Sequence, residues 1–161
     1  MARPRPTAYV KRMDNRALTT GETALARSIF ADAIDYRRVR LFRRKWWPFH
    51  PRNAAMAPMG NIYCHPEGGV WSDDFSKESL GRQGFFIHEL THVWQTHKGG
   101  LLYLPLMRHP FCRYAYVLKP GKPFNRYGVE QQAEIVRHIF LAERGVSLVD
   151  APPRSILPFK P

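Results

Sequence analysis

Apolar and polar positions follow three different rhythms along this 161-residue chain, and each rhythm predicts a different element. From Thr19 onward, Leu25, Ile29, Ala33 and Tyr36 recur every three or four residues, which places them on one face of a helix reaching about residue 36. Thr19-Thr20-Gly21-Glu22 can open it as a capping box, because a hydroxyl and a carboxylate three residues apart satisfy amides that the first turn leaves free. A period of two follows. In the stretch from Arg37 to Lys45, arginines alternate with Val39, Leu41 and Phe42, as in a strand with one face buried. Short apolar stretches around Met56, Ile62, Tyr63, Val70 and Trp71 are punctuated by Pro and Gly, so a small, mostly antiparallel sheet is expected before residue 80.

The third rhythm is nearly continuous. Phe85, Phe86, Leu90, Val93 and Trp94 give an apolar girdle, which is expected of a helix surrounded by core. Ser76 or Ser79 can cap its start, and Gly99, after Lys98, can stop it. Val129, Ala133, Val136 and Phe140 form the stripe of a further helix over residues 127–140. Between the two helices, residues 100–127 are rich in Leu, Tyr and Pro, long enough to form the wall of a substrate cleft. After Gly145, VSLV suits a short strand, and APPRSILPFKP suits an extended surface segment. The fold class is therefore α+β, with one domain over residues 17–161 after a basic, Pro/Arg-rich arm over residues 1–16.

The densest chemistry lies in the girdled helix, where residues 88–92 read His-Glu-Leu-Thr-His. His88 and His92 are one turn apart on one face and can share a metal ion, while Glu89 is turned aside where it can act on a water. A catalytic zinc needs a third protein ligand and one open position. His97 lies at the wrong spacing. His109 is a possible ligand from the following connection, and Glu130 and Glu134 are possible ligands from one face of the second helix, with the other acid orienting a ligand imidazole. His138 extends that face. Tyr114, Tyr116, Tyr127, Arg126 and His109 are the candidates for steadying an oxyanion or holding substrate. The Gly60–Cys64 segment is expected to offer a strand edge to an extended substrate.

HELTH followed by Glu-x-x-Ala-Glu resembles the gluzincin layout of zinc peptidases. That resemblance implies a zincin-like domain, one Zn2+ per chain on His88, His92 and Glu130, Glu134 behind the ligands, and Glu89 as the catalytic base. HELTHVWQ, RYAYVL and KPFNRYGVEQQAEIV are moreover similar to small bacterial proteins related to the Vgr and Rhs elements of secretion systems, over roughly residues 17–140. The function so implied is hydrolysis of a peptide or related amide bond by a metallopeptidase, associated with a secretion-system or toxin locus, with a peptide or protein substrate and a secretion-system partner.

Charge adds a second theme. The net +12 is spread as +9 over residues 1–52, −2 over 53–100 and +5 over 101–161, so the basic excess flanks the metal helix. Arg37, Arg38, Arg40, Arg43, Arg44 and Lys45, followed by Trp46 and Trp47, suit nucleic acid, an acidic protein or an anionic envelope surface. Two alternatives to a peptidase follow: a noncatalytic, zinc-stabilised basic binding module, and a nucleic-acid-associated protease. No apolar run approaches the roughly 18 residues of a membrane span, and the start lacks a signal core. A cytoplasmic protein is expected, open to export by a machine that needs no signal peptide. Cys64 and Cys112 are too few for a disulfide framework and read as buried thiols, with His65 beside Cys64 as a weak pointer to a metal.

Overall fold

The computed structural model describes residues 14–101 and 113–159. Helix α1 (Thr20–Phe30) opens on the expected capping box: Thr19 Oγ1 accepts the Glu22 N–H at 3.0 Å, and Glu22 Oε2 accepts the Thr19 N–H at 2.9 Å. It stops at Phe30 rather than near residue 36. Ala31 takes φ of 48°, a conformation that ends the helical run. Tyr36 nevertheless reaches the core, from a 3-10 turn (Tyr36–Arg38), with its hydroxyl donating to Ala31 O at 2.6 Å. The periodic stripe thus reports burial at Ile29 and Tyr36, in two elements, but not at Ala33, which is exposed after the helix ends while Ile34 takes the inward place.

Four short strands, β1 (Asn15–Ala17), β2 (Arg40–Phe42), β3 (Ala55–Met56) and β4 (Ile62–Cys64), form a sheet in the order β1-β2-β4-β3. The sheet is mixed. β1–β2 and β3–β4 are antiparallel, but the central pair β2–β4 is parallel, with Leu41 opposite Ile62. β4 has neighbours on both sides, so the expected free edge at Gly60–Cys64 is an interior strand; β1 and β3 are the edges. β1 also crosses the expected boundary at residue 16, because Arg16 is drawn in by chemistry. Its guanidinium makes two 2.7 Å bonds to the buried Glu22 carboxylate and a third to Ser72 O. Val70 and Trp71 lie in no strand, nor do residues 146–148.

Helix α2 (Leu80–Gly99) is the axle of the domain. Ser79 occupies its N-cap position without a side-chain hydrogen bond, and Gly100, at φ of 86°, terminates it one residue beyond the expected Gly99. From Phe86 to Thr96 every residue of α2 is buried, as the girdle predicted. Its main partner is α3 (Val129–Ala142), which buries Val129, Ala133, Val136 and Phe140. The two helices approach closely at Gly84, where an added Cβ would stand 3.1 Å from the Leu141 side chain. Phe30, Leu41, Ile62, Phe86, Leu90, Ile135 and Phe140 join α1, the sheet and both helices in one core.

The C-terminal segment is not a simple extended strap: Arg154–Ile156 form a 3-10 turn, and Phe159 is buried against Phe30, Trp94 and Phe124. The result is a single α+β domain with three described helices. Among the described residues, no helix is long and apolar enough to cross a membrane.

Candidate metal centre

One turn of α2 separates His88 from His92 and brings their rings to 4.9 Å between centroids. Across the helix pair, the first turn of α3 delivers Glu130. Glu130 Oε2 lies 3.1 Å from His92 Nε2 and 3.3 Å from His88 Nε2, and the two Nε2 atoms are 3.2 Å apart. A tetrahedral ion with bonds of about 2.0–2.1 Å holds its ligand atoms about 3.3 Å apart. The three donors therefore already stand at the edge length of such a tetrahedron. All three residues are buried, and lone pairs so crowded away from water repel one another unless a cation or a proton lies among them.

The imidazoles are aimed by groups behind them. His92 Nδ1 stands 2.8 Å from Gln95 Oε1, while Gln95 Nε2 donates to Val129 O and to Gln132 Oε1, both at 3.0 Å. Those two acceptors fix the amide, so its oxygen faces the ring, Nδ1 carries the proton and Nε2 keeps its lone pair. His88 Nδ1 makes a 2.7 Å ion-pair contact with Glu134 Oε1. Arg137 and His138 hold Glu134 in turn, at 3.3 and 3.5 Å, and His138 Nδ1 meets the Tyr116 hydroxyl at 2.6 Å. Burial works against a charged His88, but contacts with Glu130 and Glu134 outweigh it and push the pKa up to about 9. Burial also opposes a charged Glu134, yet contact with His88 leaves its carboxyl below the usual range. A proton thus occupies the crowded site when no cation does.

Glu89 is buried beside the ligands, and among the described residues its Oε2 has no hydrogen-bond partner. Burying such an oxygen is costly, which marks the place where a water or a substrate group would be received. Beneath it on β4, burial, followed by the Glu89 charge, pushes the Cys64 thiol up to about 12. Cys64 is free and buried as expected, and neither it nor His65 joins the cluster of ligand atoms, which lie within 4.8 Å of one another. A cavity of about 720 Å³ opens beside Glu134 and His138, walled by Tyr114–Leu118 and Val149–Ala151.

The other sequence candidates separate cleanly. Tyr114 is half exposed and lies nearly parallel to the His88 ring, 6.1 Å away. Tyr116 serves His138, and Tyr127 is buried with its hydroxyl accepting the Lys119 N–H, so neither hydroxyl faces the ligand atoms. Arg126 is exposed. His109 and Cys112 lie outside the described residues. One participant escaped the sequence, Gln95, visible only as an inward position three residues after His92, while His138, already placed on the acidic face, is half-buried against Glu134.

An α+β domain with a buried His-His-Glu group able to hold a metal ion is the class that this fold and site define. No family model matches the chain. A solved structure, the effector domain of Pseudomonas aeruginosa VgrG2b, superposes with a TM-score of 0.70 at 42% identity, covering 81% of this chain and 75% of that one. The type VI secretion system spike protein VgrG2b of Pseudomonas aeruginosa is 46% identical in an alignment 134 positions long that covers 78% of this chain and 13% of that protein. The chain belongs to the VgrG2b effector-domain family, and it matches only that small fraction of the whole spike protein.

Proposed function

We propose that the chain is a zinc-dependent peptidase that acts as an effector associated with a type VI secretion system. The observation that carries the reading is the set of separations, 3.1, 3.2 and 3.3 Å, among His88 Nε2, His92 Nε2 and Glu130 Oε2. Two imidazoles and one carboxylate suit zinc, and a zinc ion held by His88, His92 and Glu130 would lower the pKa of a bound water to about 7 and polarise a carbonyl. Glu89 accepts the proton of the attacking water and passes it to the leaving amine. Glu134 and Gln95 hold the two imidazoles in the tautomers that turn Nε2 inward. Tyr114, half exposed and nearly parallel to the His88 ring at 6.1 Å, is the candidate for contacting the substrate carbonyl.

A purely structural ion leaves Glu89 without a role, and a buried carboxylate oxygen with no hydrogen-bond partner among the described residues is costly for a scaffold. That is the argument against the noncatalytic module. The kinship with a secretion-spike effector supports export without a cleaved signal and a secretion-system partner. Metal analysis of the purified chain beside His88→Ala, Glu130→Ala and Glu89→Gln tests the whole reading. One equivalent of zinc in the wild type and in Glu89→Gln is expected, with loss in the two ligand variants. Cleavage of an unfolded protein mixture, followed by mass spectrometry, should fall by about 10²–10⁴-fold in Glu89→Gln. Unchanged cleavage would remove the peptidase assignment, and zinc retained by both ligand variants would remove the site.

A further inference from the structure

Between Tyr36 and Pro66 the chain carries seven cationic side chains and not one Asp or Glu. Arg37 pairs with Asp35 and Arg52 with Glu67, while Arg43 lies over the Trp71 ring. Among the described residues, Arg44 and Lys45 meet no carboxylate. They lead directly into the β2–β3 connection, whose tip reads Trp46-Trp47-Pro48-Phe49 and leaves its three rings 39, 46 and 77% exposed. Tyr63 and Phe42 stack beneath, with Arg44 over both rings and Trp46 against Tyr63.

The tip is built rather than slack. His50 is buried; its Nδ1 accepts the Trp46 N–H at 3.1 Å, its Nε2 reaches Ala54 O at 2.9 Å, and its own N–H donates to Trp47 O at 3.1 Å. A buried side chain thus clamps both ends of a turn whose apolar rings stand in water. Phe49, which has no polar atom on its ring, gains nothing from that position unless something apolar receives it.

We propose that this tip is an interfacial anchor that docks the domain on an anionic phospholipid bilayer. Indole and phenyl rings settle at the level of the headgroups, and unpaired Arg and Lys beside them are drawn to a negative surface. A second copy of the chain is disfavoured by charge, since it would bring the same cations. Nucleic acid is disfavoured by geometry: Trp47 and Phe49 meet edge to face, at 5.4 Å and 70°, instead of offering parallel faces between which bases stack. The inference does not depend on the metal chemistry.

Co-sedimentation of the full chain with phosphatidylcholine vesicles, with or without phosphatidylglycerol, tests it. Binding is expected only to the anionic vesicles, with a blue shift of tryptophan emission, and is expected to weaken as salt rises. Trp47→Ser/Phe49→Ser and Arg44→Glu/Lys45→Glu should each weaken it by about tenfold or more. Both pairs are solvent-facing, so unchanged melting temperatures are the check that the variants fold. No anionic-vesicle binding, equal binding by wild type and both variants, or retention of duplex DNA at lower protein concentrations than vesicles would each overturn the proposal.

Discussion

Glu134 touches no ligand atom of the trio yet governs one of them, through 2.7 Å to His88 Nδ1. A carboxylate in that position raises the basicity of the imidazole and locks its tautomer. Glu134→Ala should therefore weaken metal binding by about 10–100-fold with the fold intact, measured by competition with a chromophoric chelator. An unchanged affinity would reduce Glu134 to a surface ion-pair partner. Cys64 offers a prediction of a different kind. With its thiol pushed up to about 12, essentially no thiolate forms at pH 8, so iodoacetamide should spare it in the native protein and modify it in guanidinium, as peptide mapping would show. The placing of His88 and His92 on one helix face was legible in spacing, and the gluzincin resemblance pointed to Glu130 as the acid that stands with them. Gln95 was not legible, because a glutamine on a buried helix face announces nothing until its two acceptors on α3 are in view.

At the scale of elements, the capping box at α1 is both a start signal and a fastener. Thr19→Ala removes one cap bond and should cost about 1 kcal/mol. Glu22→Ala should cost more, about 3–5 kcal/mol, because it strands the Arg16 guanidinium and the Phe75 N–H that the buried carboxylate now satisfies. Urea denaturation of the two variants separates these values, and equal losses would mean that Glu22 does no more than cap. The helix starts and the two buried stripes could be read from the chain because local capping and burial period dictate them. The register of the sheet could not. Ile62 pairs with Leu41 in parallel, and both side chains enter the core that α2 also fills, so the pairing joins segments far apart in sequence. The same holds for Phe159, whose burial depends on a pocket shaped by Phe30, Trp94 and Phe124. No rhythm in APPRSILPFKP could announce that pocket.

For the whole molecule, the proposed ion, shared by α2 and α3, would tie site chemistry to stability. Binding to the native state alone at 100 times Kd adds about 2.7 kcal/mol, which for a domain of this size raises the melting temperature by about 5–11 °C. Protons compete for the same place. Without metal, His88 has its pKa raised from 6.5 to about 9, so its proton stabilises the metal-free fold fully below pH 6.5, and that contribution is lost as pH rises toward 9. Metal requires the unprotonated ring, so its affinity climbs over the same interval. Both effects act in one direction: the difference in melting temperature between the zinc-loaded protein and its chelated form should widen from pH 6.5 to 8.5. Calorimetric titrations in buffers of different ionisation enthalpy should show proton release on zinc binding near neutral pH. A difference that stays flat or narrows with pH would mean that His88 does not exchange a proton for the ion, and the coupling of the helix pair through this site would fail with it.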